Sequence, residues 1–175
     1  MATYKLPGFL LAMLASMAAT GANAENSTMA QWVFSESSTK SGKPICAMSA
    51  APILSSGVNN ISIKRVGGNG HMSATLYKDS WDIPRGRTIT ITIDFMDNQP
   101  LSLPAYGDGK IVDIQIPEQG TYVFLSLVRD SNFLQIGFPK GSEPTWTIPL
   151  KGSSTAFKQF VACASRLSKQ NTQPF

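Results

Sequence analysis

The chain has 175 residues, with 15 Lys and Arg against 11 Asp and Glu, for a formal charge of +4. That mild excess is spread along the chain, without the dense basic stripe and interleaved aromatics that nucleic-acid binding calls for. One histidine and two separated cysteines are too few for a zinc site of the ordinary kind, so neither a metal nor a cofactor is expected.

The N-terminus has three parts: Lys5 as a positive start, an apolar stretch from Leu6 to Ala19, and Ala22-Asn23-Ala24. This is the layout of a cleavable signal peptide over residues 1–24, with cleavage expected between Ala24 and Glu25. A bilayer span would need about 20 apolar residues, and this run is shorter. No cysteine follows the cleavage site to carry a lipid anchor. What remains, about 150 residues, suits one domain, placed here at 25–169 with a polar, disordered tail at 170–175. No transmembrane segment is expected in the mature chain.

In chain order the mature sequence reads as short strands. Trp32-Val33-Phe34 leads into a polar turn that ends at Gly42, and Ile45 to Met48 follows. Ile61-Ser62-Ile63-Lys64 alternates apolar and polar residues, the mark of a half-buried strand. Gly67-Gly68-Asn69-Gly70 then turns the chain into Met72–Tyr77, predicting a hairpin. Trp81 to Gly86 reads as a connection broken by Pro84 and Gly86. Thr88 to Phe95 is the cleanest strand, with Ile and Phe on one face and Thr on the other. After a turn at Asp97-Asn98-Gln99-Pro100, Leu101-Ser102-Leu103 pairs back, and Gly107-Asp108-Gly109 makes another turn. In Lys110–Ile116, Val112, Ile114 and Ile116 share one face, and Ile111 and Asp113 the other.

Glu118 to Arg129 fits a short helix through Tyr122, Leu125 and Val128, although so apolar a run also admits a strand. Asn132–Phe138 and Thr145–Leu150 are strands either side of a turn at Pro139-Lys140-Gly141. Ser154–Leu167 is a helix, capped by Ser153 or Ser154. Its stripe of Phe157, Phe160, Val161 and Ala164 must pack on the sheet, with Cys163 at the stripe's edge. Arg166 and Lys169 complement the helix dipole. The expected fold is mainly β: a single-domain β-sandwich or partly open barrel, with the C-terminal helix packed on the sheet and one further short helix.

In an exported chain, two cysteines predict one structural disulfide, Cys46–Cys163. Two buried free thiols are the alternative. Closing a loop of more than a hundred residues is worth about 4–5 kcal/mol in the chain-entropy model.

Catalytic constellations are wanting. His71 ends a glycine-rich turn, no Gly-x-Ser-x-Gly elbow accompanies it, and Cys46 is better used in a bridge. Most carboxylates, Glu143 among them, sit beside Gly, Pro, Asn or Ser in turns, where they serve local backbone bonding. Asp94 and Asp113 lie within strands and read as surface. The glycine-rich turn is no phosphate loop, since no Lys-Ser/Thr pair follows it. The sequons at Asn26 and Asn60 matter only in a eukaryotic secretory pathway. Trp32 and Trp146 fall within apolar strand patterns and read as core, leaving Trp81 as the candidate exposed binding aromatic.

Laid end to end, a signal peptide, Trp32-Val33-Phe34, Pro44-Ile45-Cys46-Ala47-Met48-Ser49, alternating strands and Trp146–Ser153 leading into Phe157–Cys163 resemble the invasion-associated locus B family. Those are small periplasmic or surface proteins of Gram-negative bacteria. The likeness covers most of the mature chain and departs at Ser35, near which the family often carries a cysteine. It implies a non-enzymatic secreted protein linked to host-cell entry or envelope adaptation. The sequence therefore points to an envelope interaction protein with a protein or cell-surface partner. An inhibitor of a lysozyme-like enzyme or a secretion-system accessory factor is the second reading, and a cell-wall hydrolase the third.

Overall fold

The computed structural model describes residues 31–51, 59–68, 71–95 and 99–169. The expected signal peptide, the Asn26 sequon, the second half of the glycine-rich turn, Asp97-Asn98 and the expected C-terminal tail lie outside the described residues. Strands β1 (Gln31–Ser38), β2 (Pro44–Ala51), β3 (Asn59–Val66) and β4 (Met72–Lys78) follow one another as an antiparallel meander. β5 (Ile83–Asp94), β6 (Leu101–Gly109) and β7 (Ile111–Ile116) form a second meander. It is the last of these, β7, that pairs with β4. Helix α1 (Glu118–Asp130) carries the chain on to β8 (Phe133–Gly137), which pairs with β5, and β9 (Trp146–Pro149) completes the sheet before α2 (Ser154–Lys169). The order is β1-β2-β3-β4-β7-β6-β5-β8-β9, one curled antiparallel sheet in the form of a half-barrel. Of the two architectures left open by the sequence, the partly open barrel is the one formed.

Period-two patterning explains which face is buried. Ile61 and Ile63, Met72, Ala74 and Leu76, Ile91 and Ile93, and Val112, Ile114 and Ile116 are all within 3% of full burial. The register sets them opposite one another, Ile63 against Ala74 and Ala74 against Ile114. The other face is polar and cross-linked by side chains. Ser49 meets Ser62 at 2.9 Å, and Thr75 donates to Asp113 at 2.6 Å, with Lys64 3.6 Å from the same carboxylate.

Pro117 ends β7, because its ring fixes φ and it has no N–H to donate, and α1 begins at once. The helical reading of this segment is the one realised, with Phe124 and Val128 as its buried pair. Phe124 meets Phe95 edge to face at 5.8 Å. Tyr122, assigned to the apolar stripe from spacing, is instead 78% exposed. Phe124 and Val128, four apart, lie on one face, which leaves Tyr122 on another.

α2 packs on β1 and β2. Its buried line is Ala156, Phe160, Cys163 and Leu167, with Phe157, Val161 and Ala164 only partly buried. Cys163 therefore lies at the centre of the packed face and not at its edge. It is bonded to Cys46 on β2, with Cα atoms 6.0 Å apart, and a disulfide requires its helix residue to face the partner strand. Arg166 reaches Glu36 on β1 at 2.8 Å, adding an exposed tie to the same strand pair.

Two further expectations are corrected. Gly107-Asp108-Gly109 belongs to β6, and the chain turns at Lys110. A side chain at 107 would run into Ile83, whose Cγ2 lies 2.3 Å from where a Cβ would be; here glycine lets two strands approach. Ile83 to Gly86, read as connection, belongs to β5, where the register slips between Ile83 and Arg87. The breakers Pro84 and Gly86 thus mark a bulge within a strand.

Candidate functional site

The sheet order places two connections at the same end of the half-barrel. Between Lys78 and Ile83 the chain leaves β4 and crosses the ends of β7 and β6 to reach β5. It is tied down on the way by Lys78 N–H to the Lys110 carbonyl at 3.0 Å and Trp81 N–H to the Lys78 carbonyl at 3.1 Å. Asp79 pairs with Lys110 in the β6–β7 turn. The second connection is Phe138–Thr145, between β8 and β9. It turns at once, with Gly141 N–H on the Phe138 carbonyl at 3.0 Å, as Pro139 and Gly141 dictate.

Glu143 joins the two connections. Its carboxylate accepts from Lys78 Nζ at 2.8 Å on both oxygens, from the Trp146 indole at 2.8 Å and from the Trp81 indole at 3.1 Å. Trp81 stacks on Trp146 with ring centres 5.2 Å apart and planes 13° from parallel. Phe138 stands edge-on to both, at 5.9 and 5.8 Å. The Glu143 and Lys78 side chains are 15% and 25% exposed, which strengthens the pair relative to one in open water. Burial pushes the Glu143 carboxyl upward, but the donors from Lys78, Trp146 and Trp81 and the Lys78 charge outweigh it and hold the group below its ordinary value. A carboxylate so occupied by donors is a poor proton acceptor. Its work is to fix the position of Trp81.

Beside this cluster lies a cleft of about 750 Å³. Trp81 and Phe138 form one wall, Ile83 and Ile89 line the floor, and Arg87 and Lys140 bring charge to it. Asp82 contributes the opposite sign. Trp81, expected to be exposed, is partly buried: it packs against the core and also lines the cleft. Cys46 and Cys163 are both spent in their bond. His71 stands exposed at the start of β4, remote in the sheet order from β5.

Asp113 sits on the polar face, where Thr75 and Lys64 engage it. Asp108 faces Arg85 at 3.5 Å, and Asp130 is paired with Arg129. Among the described residues no three His, Cys, Asp or Glu side chains are grouped to hold a metal ion. Glu143 and Lys78 were not distinguished by sequence. The one local signal is that each stands three residues before a tryptophan, and nothing in that spacing says the two pairs meet.

Comparison with family models, curated proteins and solved structures gives no match. No helix among the described residues is long and apolar enough to cross a membrane, which says nothing of spanning by strands. A bridged fold of this kind is compatible with export, since disulfides persist in oxidising compartments.

Proposed function

We propose that the chain is a non-enzymatic exported protein of a Gram-negative envelope, periplasmic or at the surface, that binds a protein or cell-surface partner in the cleft beside Trp81. One observation carries the reading: the aromatic wall is held in place by a carboxylate whose hydrogen-bonding capacity is already taken up. A site with a fixed aromatic face, an apolar floor and a few charges suits holding a ligand. Support for export comes from the Cys46–Cys163 bond and from the signal-peptide layout. The resemblance to the invasion-associated locus B family adds the expectation of a part in host-cell entry or envelope adaptation.

Fractionation with N-terminal sequencing, followed by capture of envelope and host-surface extracts on the mature protein, tests this reading. The expected results are a chain outside the cytoplasm beginning at Glu25, and a partner retained by the wild type but released by a folded Trp81→Ala variant. Equal retention by both proteins would remove the cleft from the function. A cytoplasmic chain still beginning at Met1 would remove export. Turnover of peptidoglycan by the purified protein would replace binding with hydrolysis.

A further inference from the structure

β5 is twelve residues long, and its two sides are treated unequally. β6 pairs along it from Ile83 to Ile93, whereas β8 pairs only with Thr92, Ile93 and Asp94. The reason is local. Gly137 lets β8 approach Thr92 so closely that a Cβ there would lie 2.3 Å from the Thr92 Oγ1, and then Phe138-Pro139 turns the chain away. From Arg87 to Ile91, therefore, one side of β5 has no strand beside it among the described residues. No loop of the described residues makes a backbone hydrogen bond to that stretch.

Alternate residues of an antiparallel strand direct both N–H and C=O to the same side. The open side of Arg87–Ile91 is thus a row of alternating donors and acceptors, on the order of 15 Å long. This unpaired edge lies in the middle of the sheet order, not at its ends, and Arg87, Thr88, Ile89 and Thr90 form part of the cleft lining.

We propose that the cleft receives an extended, acidic peptide segment of another protein, which adds as a strand to the Arg87–Ile91 edge. The proposal rests on the binding reading above and specifies its ligand. A row of alternating backbone donors and acceptors is matched in spacing by another strand, and not by a sugar ring or a lipid headgroup. Side chains along such a peptide alternate in direction, so every second one falls on the apolar surface of Ile89, Trp81 and Phe138. The charge comes from the cations. Arg87 and Lys140 line the cleft with no carboxylate of the described residues within ion-pair distance, whereas Lys78 is matched by Glu143 and Arg85 by Asp108. Glu143, which also lines the cleft, is neutralised by Lys78 behind it, and Asp82 offsets one of the two cations, so the surplus is a single positive charge, which an acidic side chain between Arg87 and Lys140 would complement.

Selection of displayed eight-residue peptides on the full exported chain, followed by amide hydrogen exchange, tests the proposal. The expected result is enrichment of sequences alternating acidic and apolar residues, with slowed exchange on binding at alternate amides within Arg87–Ile91. Methylating every second peptide nitrogen should abolish binding in one phase and spare it in the other. Arg87→Glu should weaken binding at least tenfold while leaving the melting temperature unchanged, and Lys140→Glu, in the loop wall, serves as the second variant. Absence of any enriched peptide, or enriched peptides that leave the Arg87–Ile91 amides unprotected, would overturn strand addition. Trp81-dependent binding of uronic-acid oligosaccharides or anionic vesicles, without peptide binding, would overturn it too while leaving the cleft as a binding site. Loss of every Trp81-dependent partner would instead defeat the reading on which it rests.

Discussion

The Trp32 indole N–H donates to the Pro149 carbonyl at 2.9 Å across 117 residues of sequence, and the two residues belong to opposite edges of the nine-stranded sheet. β1 and β9 have no strand pairing between them. The curl of the sheet brings them within reach of one side-chain bond, and α2 then packs over β1 and β2. The two edges of the half-barrel are thus tied to each other by this side-chain bond.

Trp32→Phe removes the donor and keeps most of the ring. Leaving a partly buried carbonyl without its partner costs about 1–3 kcal/mol, so the melting temperature should fall by several degrees. Urea unfolding of the variant checks this. An unchanged midpoint would mean that the edge-to-edge bond contributes nothing.

Reduction should loosen the attachment of α2 to β2. The Cys46–Cys163 bond closes a separation of 117 residues, and its loss should cost about 2–5 kcal/mol. Cys46→Ser, Cys163→Ser and the double variant should be destabilised to a similar degree, because each removes the same bond. Thiol labelling of the unreduced, denatured wild type should find no free cysteine. Two labels per chain would show the bond absent.

Phe160 is fully buried at the centre of the α2 face. Its truncation to alanine should cost about 3–5 kcal/mol, against a total of about 5–15 kcal/mol for a domain. Thermal melts report the loss. A Phe160→Ala protein that melts like the wild type would show that α2 is not part of the core.

Acid should loosen the wall of the cleft. The folded-state pKa of Glu143 is lowered, so the stability it contributes is fully present above the ordinary glutamate value, about 4.3. That contribution is lost as pH falls through the lowered folded value. Glu143→Gln deprives Lys78 of its counter-charge and should cost about 1–3 kcal/mol at pH 7. Wild type and variant should then converge in stability as pH falls below the ordinary glutamate range, followed by tryptophan fluorescence during urea unfolding. A difference that stays constant with pH would sink this account.

Much of the fold was legible because side-chain alternation is local. Thr88–Phe95, Lys110–Ile116 and Ile61–Lys64 each declare their buried face, and those faces hold. Turn residues were less trustworthy. Gly107 lies inside β6, where glycine serves a close approach to Ile83 and not a turn. The site was hardly legible. Trp81 could be singled out, but Glu143 resembled any other turn carboxylate until β8 and β9 set it beside Lys78.

By itself, then, the sequence determined the β class, the buried faces of the strands and the place of the C-terminal helix, and it left the segment Glu118–Arg129 open between helix and strand and the two cysteines between a bond and free thiols. Periodicity reports which way a side chain points, and composition limits what can bond to what. Which strand lies beside which is decided by packing among segments far apart in the chain. Only the tertiary structure could insert β7 beside β4, stop β8 after three paired residues of β5, and turn α2 so that Cys163 lies at its centre. The open edge of β5 and the carboxylate that holds Trp81 are products of those long-range choices, which no local pattern encodes.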